Sequence, residues 1–361
     1  MEVLTKEYYA KAHETYGCYE GTLHLLEEEV QRLQENEKER ELFLELYKAV
    51  GDAENWDGTA VIPEGVTMLS AMAVLAHMPE MIEGLMADGF SREIAVATAK
   101  DVSAETLEAA LGGGNPGMDA HLVKWFLKYI CRTIVRVGRL NYEKCAYFRG
   151  KIRVYKGTKG ENIPLIWNIS VNKDGDAVQE DEPEKFFAFG EESDYFIKGH
   201  RVIDGKAEEK QTILDKTCFE PVLTEGDPVL HVHIPAFEPF SPEIVAESYK
   251  KVLPILEKAW PDFHPKAVVC KSWLMDPVLK TMLKETSNLL AFQKPYTPFP
   301  SKANITSALS CVFHMTPEDY NLLPEETSLQ RAMKAHYLSG GVVRFQFAYW
   351  LIDDFKKEYC N

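Results

Sequence analysis

The sequence lacks an uninterrupted run of 18 apolar residues, which is the length that a membrane-spanning helix requires. It also lacks an excess of positive charge, since 40 Lys and Arg residues stand against 56 Asp and Glu residues, for a net charge of −16. Proteins that grip nucleic acid or an anionic membrane usually have a basic balance, so we expect neither partner, although a local basic pocket stays possible. The first residues do not join a basic start to an apolar core, which predicts no secretory signal and a cytoplasmic location.

The cysteines are few, odd in number and never arranged as a CxxC pair, which predicts reduced thiols and argues against a disulfide framework or a zinc knuckle. They are Cys18, Cys131, Cys145, Cys218, Cys270, Cys311 and Cys360. The sequence also lacks the phosphate-binding GxxxxGK[ST] loop, the zinc-binding HExxH motif and the GxSxG elbow of α/β-hydrolases. Kinase, zinc-protease and hydrolase functions therefore have no support, and we expect no metal.

A chain of 361 residues is long enough for about two domains. Strong helix formers with apolar residues three or four positions apart predict helices over 23–50, 68–77 and 121–139. Near residue 140 the apolar period drops to two, and β-branched and aromatic residues become frequent. The sequence thus predicts an α+β protein with a helical N-terminal domain (1–138) and a mixed-sheet C-terminal domain (139–361).

Alternating or β-branched stretches predict the strands of the second domain. These strands are expected at 145–156, 164–171, 185–190, 194–203, 229–235, 266–273 and 304–314. Ser241 followed by Pro242 is typical of a helix start and predicts a helix over 242–259. Another helix is expected to begin at Thr327 or Ser328 and to be stopped by two glycines.

The most reactive pair of side chains is His231 and His233, in the predicted strand VLHVHIP. Residues two apart on a strand point to the same face, about 7 Å from each other. Two imidazoles on one face can bind a metal, act as a general base beside a cleft, or serve only as hydrogen-bonded packing residues. Because no carboxylate follows at ligand spacing, a role in catalysis or substrate lining is favoured over a metal site.

Three further stretches carry a family resemblance. They are GRLNYE (138–143), VLHVHIPAFEPFSPEIVAESYKKVL (229–253) and CKSWLMDPVLKTMLKETSNLLAFQ (270–293). Their order resembles that of bacterial acyltransferase-domain proteins with a helical N-terminal domain and a GNAT-like C-terminal domain. The resemblance implies a mixed sheet in which two neighbouring strands splay apart. It also implies a helix whose N-terminus holds the pyrophosphate of coenzyme A (CoA), beside an opening that admits the pantetheine arm.

The resemblance also implies roles for particular residues. His233, or His231, would be the catalytic base, and acyl-CoA or acetyl-CoA would be the co-substrate that acylates a small-molecule amine. The implied cofactor-binding residues are Ile234, Pro235, Ala236, Phe237, Ser241, Ser272 and Asn288, and Cys270 would also line the opening between the strands. This makes the chain an acyl-CoA-dependent N-acyltransferase.

The loop before the helix favours an alternative. GNAT enzymes have a glycine-containing loop at this point, whereas this chain has AFEPFSPE, without glycine and with Glu238 and Glu243. Two unit charges 4 Å apart in a surface environment interact by roughly 4 kcal/mol before screening, so these carboxylates would oppose a diphosphate. The second hypothesis is therefore a non-catalytic GNAT-like module that binds a small ligand or a protein.

Overall fold

The computed structural model describes residues 2–18, 21–111, 114–178, 185–235, 238–301 and 306–360. The chain forms two compact units. The first unit contains Met1–Glu143, Ile234–Pro239 and Lys251–Asp262, and the second contains Lys144–His233, Phe240–Lys250 and Phe263–Asn361. The sequence predicts separate domains over residues 1–138 and 139–361, and this boundary stays a prediction.

The first unit is built from helices and one hairpin. The helices are α1 (Lys6–Tyr16), α2 (Thr22–Glu35), α3 (Glu37–Gly51), α4 (Met68–Leu75), α5 (Met78–Ala87), α6 (Arg92–Leu111) and α7 (Ala120–Ile130), and the antiparallel strands are β1 (Ile134–Val137) and β2 (Leu140–Cys145). Short polar side chains begin several of the helices: Thr5, Thr67 and Asp119 each accept a hydrogen bond from a first-turn amide. The predicted helical N-terminal region is confirmed.

Two of the helix predictions need correction. The helix expected over 23–50 is two helices, because Asn36 leaves the helical conformation and caps α3 by accepting the amide proton of Glu39. The helix expected over 121–139 ends at Ile130, because Arg132 adopts a left-handed conformation with φ of 55°. The β-branched residues that follow then form β1, where they are fully buried.

The second unit begins with antiparallel strands. They are β3 (Ile152–Gly157), β4 (Asn162–Ile166), β5 (Ile169–Asn172), β6 (Lys185–Ala188), β7 (Glu191–Glu192), β8 (Phe196–Ile203), β9 (Lys206–Asp215) and β10 (Phe219–Leu223). One sheet has the order β10-β3-β4-β8-β7 with β9 also paired to β8, and β5 pairs with β6. Strands β9 and β10 were not predicted from the sequence, since charged residues interrupt their apolar alternation.

The rest of the second unit surrounds a mixed sheet. Its elements are β11 (Val229–His233), α8 (Pro242–Ala259, whose residues 251–259 belong to the first unit), β12 (Ala267–Ser272), α9 (Leu279–Met282), α10 (Asn288–Gln293), β13 (Thr297–Phe299), α11 (Ser307–Phe313), α12 (Ser328–Leu338), β14 (Gln346–Leu351) and α13 (Ile352–Tyr359). Strands β11 and β12 are parallel, whereas β14 is antiparallel to both β12 and β13. The predicted α+β class with a mixed sheet in the C-terminal region is confirmed.

The strand predicted over 304–314 is wrong, because residues 307–313 form α11. The buried positions Ala308, Leu309 and Phe313 follow helical spacing, which the alternation of small and apolar residues concealed. Cys311 is exposed on this helix.

Alternation along the mixed sheet separates two apolar layers. Val269 and Tyr349 point into a core that they share with side chains of the first sheet, such as Val154 and Ile166. Trp350 points to the other face, where it packs edge-on against Tyr249 of α8 at 5.9 Å. Among the helices that the structure describes, none combines the length and the apolar character that crossing a membrane requires.

Candidate active site

The parallel strands β11 and β12 stop pairing just before β11 ends. Their register runs from Val229 opposite Ala267 to Val232 opposite Cys270. Beyond that point β12 continues to Ser272 and β11 to His233 without further pairing to each other, whereas Lys271 and Ser272 still pair with β14. The splaying of two neighbouring strands that the resemblance implies would therefore begin after Val232 and Cys270.

Both histidines lie on one face of β11, beside the end of this ladder. Their ring centroids are 4.1 Å apart at an interplanar angle of 40°, closer than strand spacing alone suggested. His231 also lies 6.3 Å from the ring of Phe347 on β14. Each histidine is half-buried, so the pair is accessible at the surface of a packed sheet.

The ring of His231 takes the place of a strand partner. The backbone amide of Lys271, the first residue of β12 after the ladder, donates a hydrogen bond to Nε2 of His231 at 3.2 Å. A ring nitrogen that accepts a hydrogen bond carries no proton, so a neutral His231 carries its proton on Nδ1. This contact holds β12 next to β11 through a side chain where the backbone pairing has stopped.

Helix α8 begins at Pro242, nine residues after His233, and Ser241 precedes it as its cap. The Ser241 Oγ accepts a long hydrogen bond of 3.5 Å from the amide of Ile244. The hydroxyl of Ser241 also donates to Glu243, and this hydrogen bond lowers the pKa of the fully exposed Glu243 carboxyl. The predicted cofactor residue Ser241 therefore orders the first turn, and Glu243 stays ionised beside it.

The carboxylate of Glu238, expected to repel a diphosphate, is held by a buried cation. The guanidinium of Arg136 in β1 forms ion pairs with both Glu238 and Asp101, and it is 5% exposed. Arg139, equally buried, donates to the backbone oxygens of Glu238 and Pro239 at 3.1 and 2.8 Å. Arg136 therefore offsets part of the negative charge at position 238 within the first unit, since it is shared with Asp101.

Of the other loop residues predicted to bind the cofactor, the structure describes Ile234 and Pro235. Ile234 is half-buried and Pro235 is buried, and both belong to the first unit. The predicted cofactor residues Ala236 and Phe237 lie outside the described residues.

A cavity of about 360 Å³ opens beside the first turns of α8. It brings the predicted cofactor residue Asn288 of α10 together with Pro242 and Val245 of α8. Its other described lining residues are Tyr249, Ala291, Phe292, Lys294, Pro295, Glu358 and Tyr359. The described lining combines polar and apolar groups, and it contains one cation, Lys294, and one carboxylate, Glu358.

Cys270 and Ser272 are less suited to chemistry than their positions suggested. Cys270 is completely buried, and burial raises the pKa of its thiol to about 12. The thiol is therefore protonated near neutral pH and is not a nucleophile. Ser272 accepts a hydrogen bond from the amide of Leu274 at 3.2 Å and caps the short turn Trp273–Met275.

Sequence reasoning missed Arg136, Arg139 and Lys271. The two arginines stand in the apolar stretch IVRVGRL, and a cation inside a buried strand is a usable signal for a buried ion pair. Lys271 gave no signal, because its contact is made by the backbone amide.

A mixed sheet with two parallel strands whose pairing stops ahead of a helix N-terminus defines a protein of the GNAT type. The chain belongs to the family with a GNAT-like C-terminal domain, whose profile matches residues 134–348. No curated protein sequence matches the chain significantly.

Solved structures with the same fold include several acyltransferases. An acyltransferase mutant in complex with octanoyl-CoA is 15% identical, with a TM-score of 0.63, over 96% of this chain and 88% of that chain. An acyltransferase in complex with decanoyl-CoA and teicoplanin is also 15% identical, with a TM-score of 0.63 and coverages of 95% and 87%. A third, in complex with CoA and 10C-teicoplanin, is 18% identical with a TM-score of 0.52 over 79% of this chain, which spans 66% of that one, just under two thirds.

Proposed function

We propose that the protein is an acyl-CoA-dependent acyltransferase that acylates an amine of a small molecule. The observation that carries the proposal is the end of the parallel ladder at Val232 and Cys270, beside the imidazoles of His231 and His233. Family membership supports it, as do the neighbouring acyltransferase structures that hold CoA or acyl-CoA.

The residues near the start of α8 include groups that favour a diphosphate and groups that oppose it. The 18 residues of α8 give a full macrodipole with its positive end at the first turn, where the amide of Ile244 already donates to Ser241. Arg136 is paired with Glu238 and Lys294 lines the cavity beside the first turn, whereas Glu243 and Glu358 oppose an anion. In this proposal CoA is held by Ser241, Ser272 and Asn288, together with the loop residues Ile234, Pro235, Ala236 and Phe237.

The two histidines have different proposed roles. His231 already accepts the Lys271 amide on Nε2, which makes it a positioning residue. His233 is the proposed base that takes a proton from the attacking amine. The amine nitrogen bonds to the acyl carbon, the carbon–sulfur bond breaks, and the thiolate leaves and is protonated to the free thiol of CoA. Backbone amides within 231–235 would stabilise the oxyanion.

The test combines binding and turnover on the full chain. Calorimetry with CoA should give saturable binding, and acetyl-CoA or octanoyl-CoA should release free thiol only when an amine is added. The His233→Ala variant should bind CoA as the wild type does and lose thiol release. Absence of both CoA binding and amine-dependent thiol release would contradict the proposal.

A second candidate is a non-catalytic module that binds a small ligand or a protein. The exposed and ionised Glu243 in the first turn of α8 favours it, as does the loop without glycine. For this candidate, a double change of His231→Ala and His233→Ala would leave ligand affinity unchanged, and no amine would produce free thiol.

A further inference from the structure

A second cavity of the C-terminal unit, of about 420 Å³, lies on the sheet face that carries Phe347. Its described lining residues are Arg149, Gly150, Lys151, Asn168, Ile169, Ser170, Phe187, Lys271, Pro300, Ser301 and Phe347. We call it the cationic cavity. Gly150 is required there, because an added Cβ would lie 2.2 Å from the ring of Phe148.

The charge of this cavity is opposite to that of the chain. Acidic residues outnumber basic ones by 56 to 40 overall, yet the described lining contains three cationic side chains and no acidic one. Lys151 is paired with Glu225 outside the cavity at 2.5 Å, and the other cationic side chains of the described lining are Arg149 and Lys271. A cluster of this kind attracts an anion.

The same cavity has aromatic walls. The ammonium group of Lys271 lies over the ring of Phe347, 5.0 Å from its centroid. Phe187 on β6 lines the cavity and is 57% exposed, which is unusual for a large apolar side chain. The lining therefore offers both an anion site and apolar surface to one ligand.

The cationic cavity is connected to the histidine pair through two residues. The backbone of Lys271 donates to the His231 ring, and its side chain enters the cavity lining. Phe347 lines the cavity and lies 6.3 Å from the His231 ring. A molecule in this cavity would thus lie near the proposed base.

Strand alternation places this cavity and the one beside α8 on opposite faces of the mixed sheet. Phe347 faces the cationic cavity, whereas Trp350, an odd number of positions away, contacts Tyr249 of α8. A ligand bound at the start of α8 and one bound in the cationic cavity would approach the ladder end from different sides. The cationic cavity therefore suits the second substrate better than the phosphates of CoA.

We propose that the cationic cavity binds the acceptor, and that the acceptor is an amine whose molecule also carries an anionic group and an apolar part. This proposal rests on the proposed function and adds the substrate class. Arg149 and Lys271 bind the anionic group, Phe187 and Phe347 contact the apolar part, and the amine points toward His233.

The first experiment compares matched amines in the thiol-release assay with acetyl-CoA. The pairs are phenylalanine against phenethylamine for a carboxylate, and O-phosphoethanolamine against ethanolamine for a phosphate. We expect the anionic member of at least one pair to have kcat/KM about tenfold or more above its neutral partner, since hydrogen bonds to charged groups are of that strength. The pair with the larger ratio identifies the anion.

Two variants test whether this preference comes from the cavity. Lys271→Met and Arg149→Gln should lower the ratio of kcat/KM for the anionic amine to that for its neutral partner about tenfold, mainly by raising KM for the anionic amine. The matched control is Lys198→Met, since the ammonium of Lys198 also lies over a ring, that of Phe189 at 5.6 Å, outside the cavity lining. Equal kcat/KM within both pairs, or a KM that Lys271→Met does not move, would overturn the proposal.

A binding measurement separates this proposal from the proposed function. Calorimetric titration with the four amines needs no turnover, and the anionic members should bind wild type more tightly than Lys271→Met. If this holds while no acyl-CoA is consumed, the anion site stands and the acyltransferase function fails. If acyl transfer proceeds but none of the anionic amines binds more tightly than its neutral partner, the anion site fails and the function stands.

Discussion

His231 and His233 occupy equivalent positions on one strand, and the ring of His231 accepts a hydrogen bond from the neighbouring strand. Nε2 of His231 accepts the amide proton of Lys271, and this use of its lone pair competes with any proton transfer. The rings are 4.1 Å apart, so protonation of both would be opposed by charge repulsion. Only one of the two can readily act as a base, and we assign that role to His233.

This assignment predicts different effects for the two histidines. His233→Ala should lower kcat by about 10²- to 10⁴-fold, the usual contribution of a general base, and should flatten the acid limb of the pH–rate profile. His231→Ala should lower kcat less, and His231→Gln should recover activity, because its amide oxygen can reach the position of Nε2 and accept the Lys271 proton. Steady-state thiol release measures all three variants.

The control for these changes is His24→Ala, on α2, where the histidine side chain is 74% exposed and pairs with Glu28. It should retain full activity. If His231→Ala lowers kcat as much as His233→Ala does, and His231→Gln does not recover activity, the two histidines exchange or share these roles.

At the residue scale, the sequence could predict that both histidines share a face, because strand alternation is local. It could not predict the bond from Lys271 to His231. That contact depends on the register between two strands about forty positions apart, which is determined by tertiary packing. For the same reason the sequence could not predict the ion pair between Arg136 and Glu238, since the two residues are 102 positions apart.

At the scale of single elements, the sequence predicted a helix correctly where a capping residue and the apolar periodicity both indicated it. Ser241 with Pro242 predicted the start of α8, and Thr327 or Ser328 predicted that of α12, where Thr327 forms a reciprocal cap with Gln330. The prediction failed where one apolar pattern is compatible with both a strand and a helix. Residues 304–314 have a pattern typical of a strand, but they contain α11. A left-handed residue such as Arg132, which ends a helix without glycine or proline, leaves no trace in the sequence.

The N-terminus of α8 gives a prediction at this scale. Glu243 is ionised and exposed in the first turn, so Glu243→Gln should strengthen CoA binding several-fold at low ionic strength. The gain should shrink as salt is added, because exposed charges are screened. Calorimetry at two salt concentrations measures the effect.

Glu257→Gln on the last turns of the same helix is the matched control, since it changes the net charge equally and lies far from the first turn. It should leave CoA affinity unchanged. An unchanged affinity for Glu243→Gln at low salt would mean that the diphosphate is not held at this helix end.

At the scale of the whole molecule, three separate segments of the chain form the first unit. Phe90 packs edge-on against Trp260 at 5.2 Å, and both side chains are buried. Arg136 is paired with Glu238 from the loop before α8. A fragment of residues 1–138 would lack both Trp260 and Glu238, although the sequence predicted a domain with those bounds.

We therefore expect the fragment 1–138 to melt with low cooperativity, as followed by circular dichroism. In the full chain, Trp260→Ala should lower the free energy of unfolding by about 3–5 kcal/mol, the usual cost of removing a large buried aromatic side chain. A fragment that unfolds cooperatively at the temperature of the full chain would show that residues 1–138 form an independent domain.

The charge cluster of the first unit governs how stability depends on pH. Asp101 is 5% exposed, and burial raises the pKa of its carboxyl from 3.8 to about 6, although Arg136 acts in the opposite direction. A carboxyl with a raised folded-state pKa binds its proton more tightly in the folded protein than in the unfolded chain. Its contribution to stability is therefore fully present below pH 3.8 and is lost as the pH rises through 6.

Asp101→Asn isolates this contribution, because the amide has no charge to titrate. Between pH 4 and pH 7, the free energy of unfolding of wild type should fall relative to that of the variant, by about 3 kcal/mol at most. Urea unfolding of both proteins at several pH values gives the difference, with exposed Asp57→Asn as a control that should show little change over this range. A difference that grows in favour of wild type as the pH rises would mean that the Arg136 ion pair outweighs burial and holds Asp101 ionised.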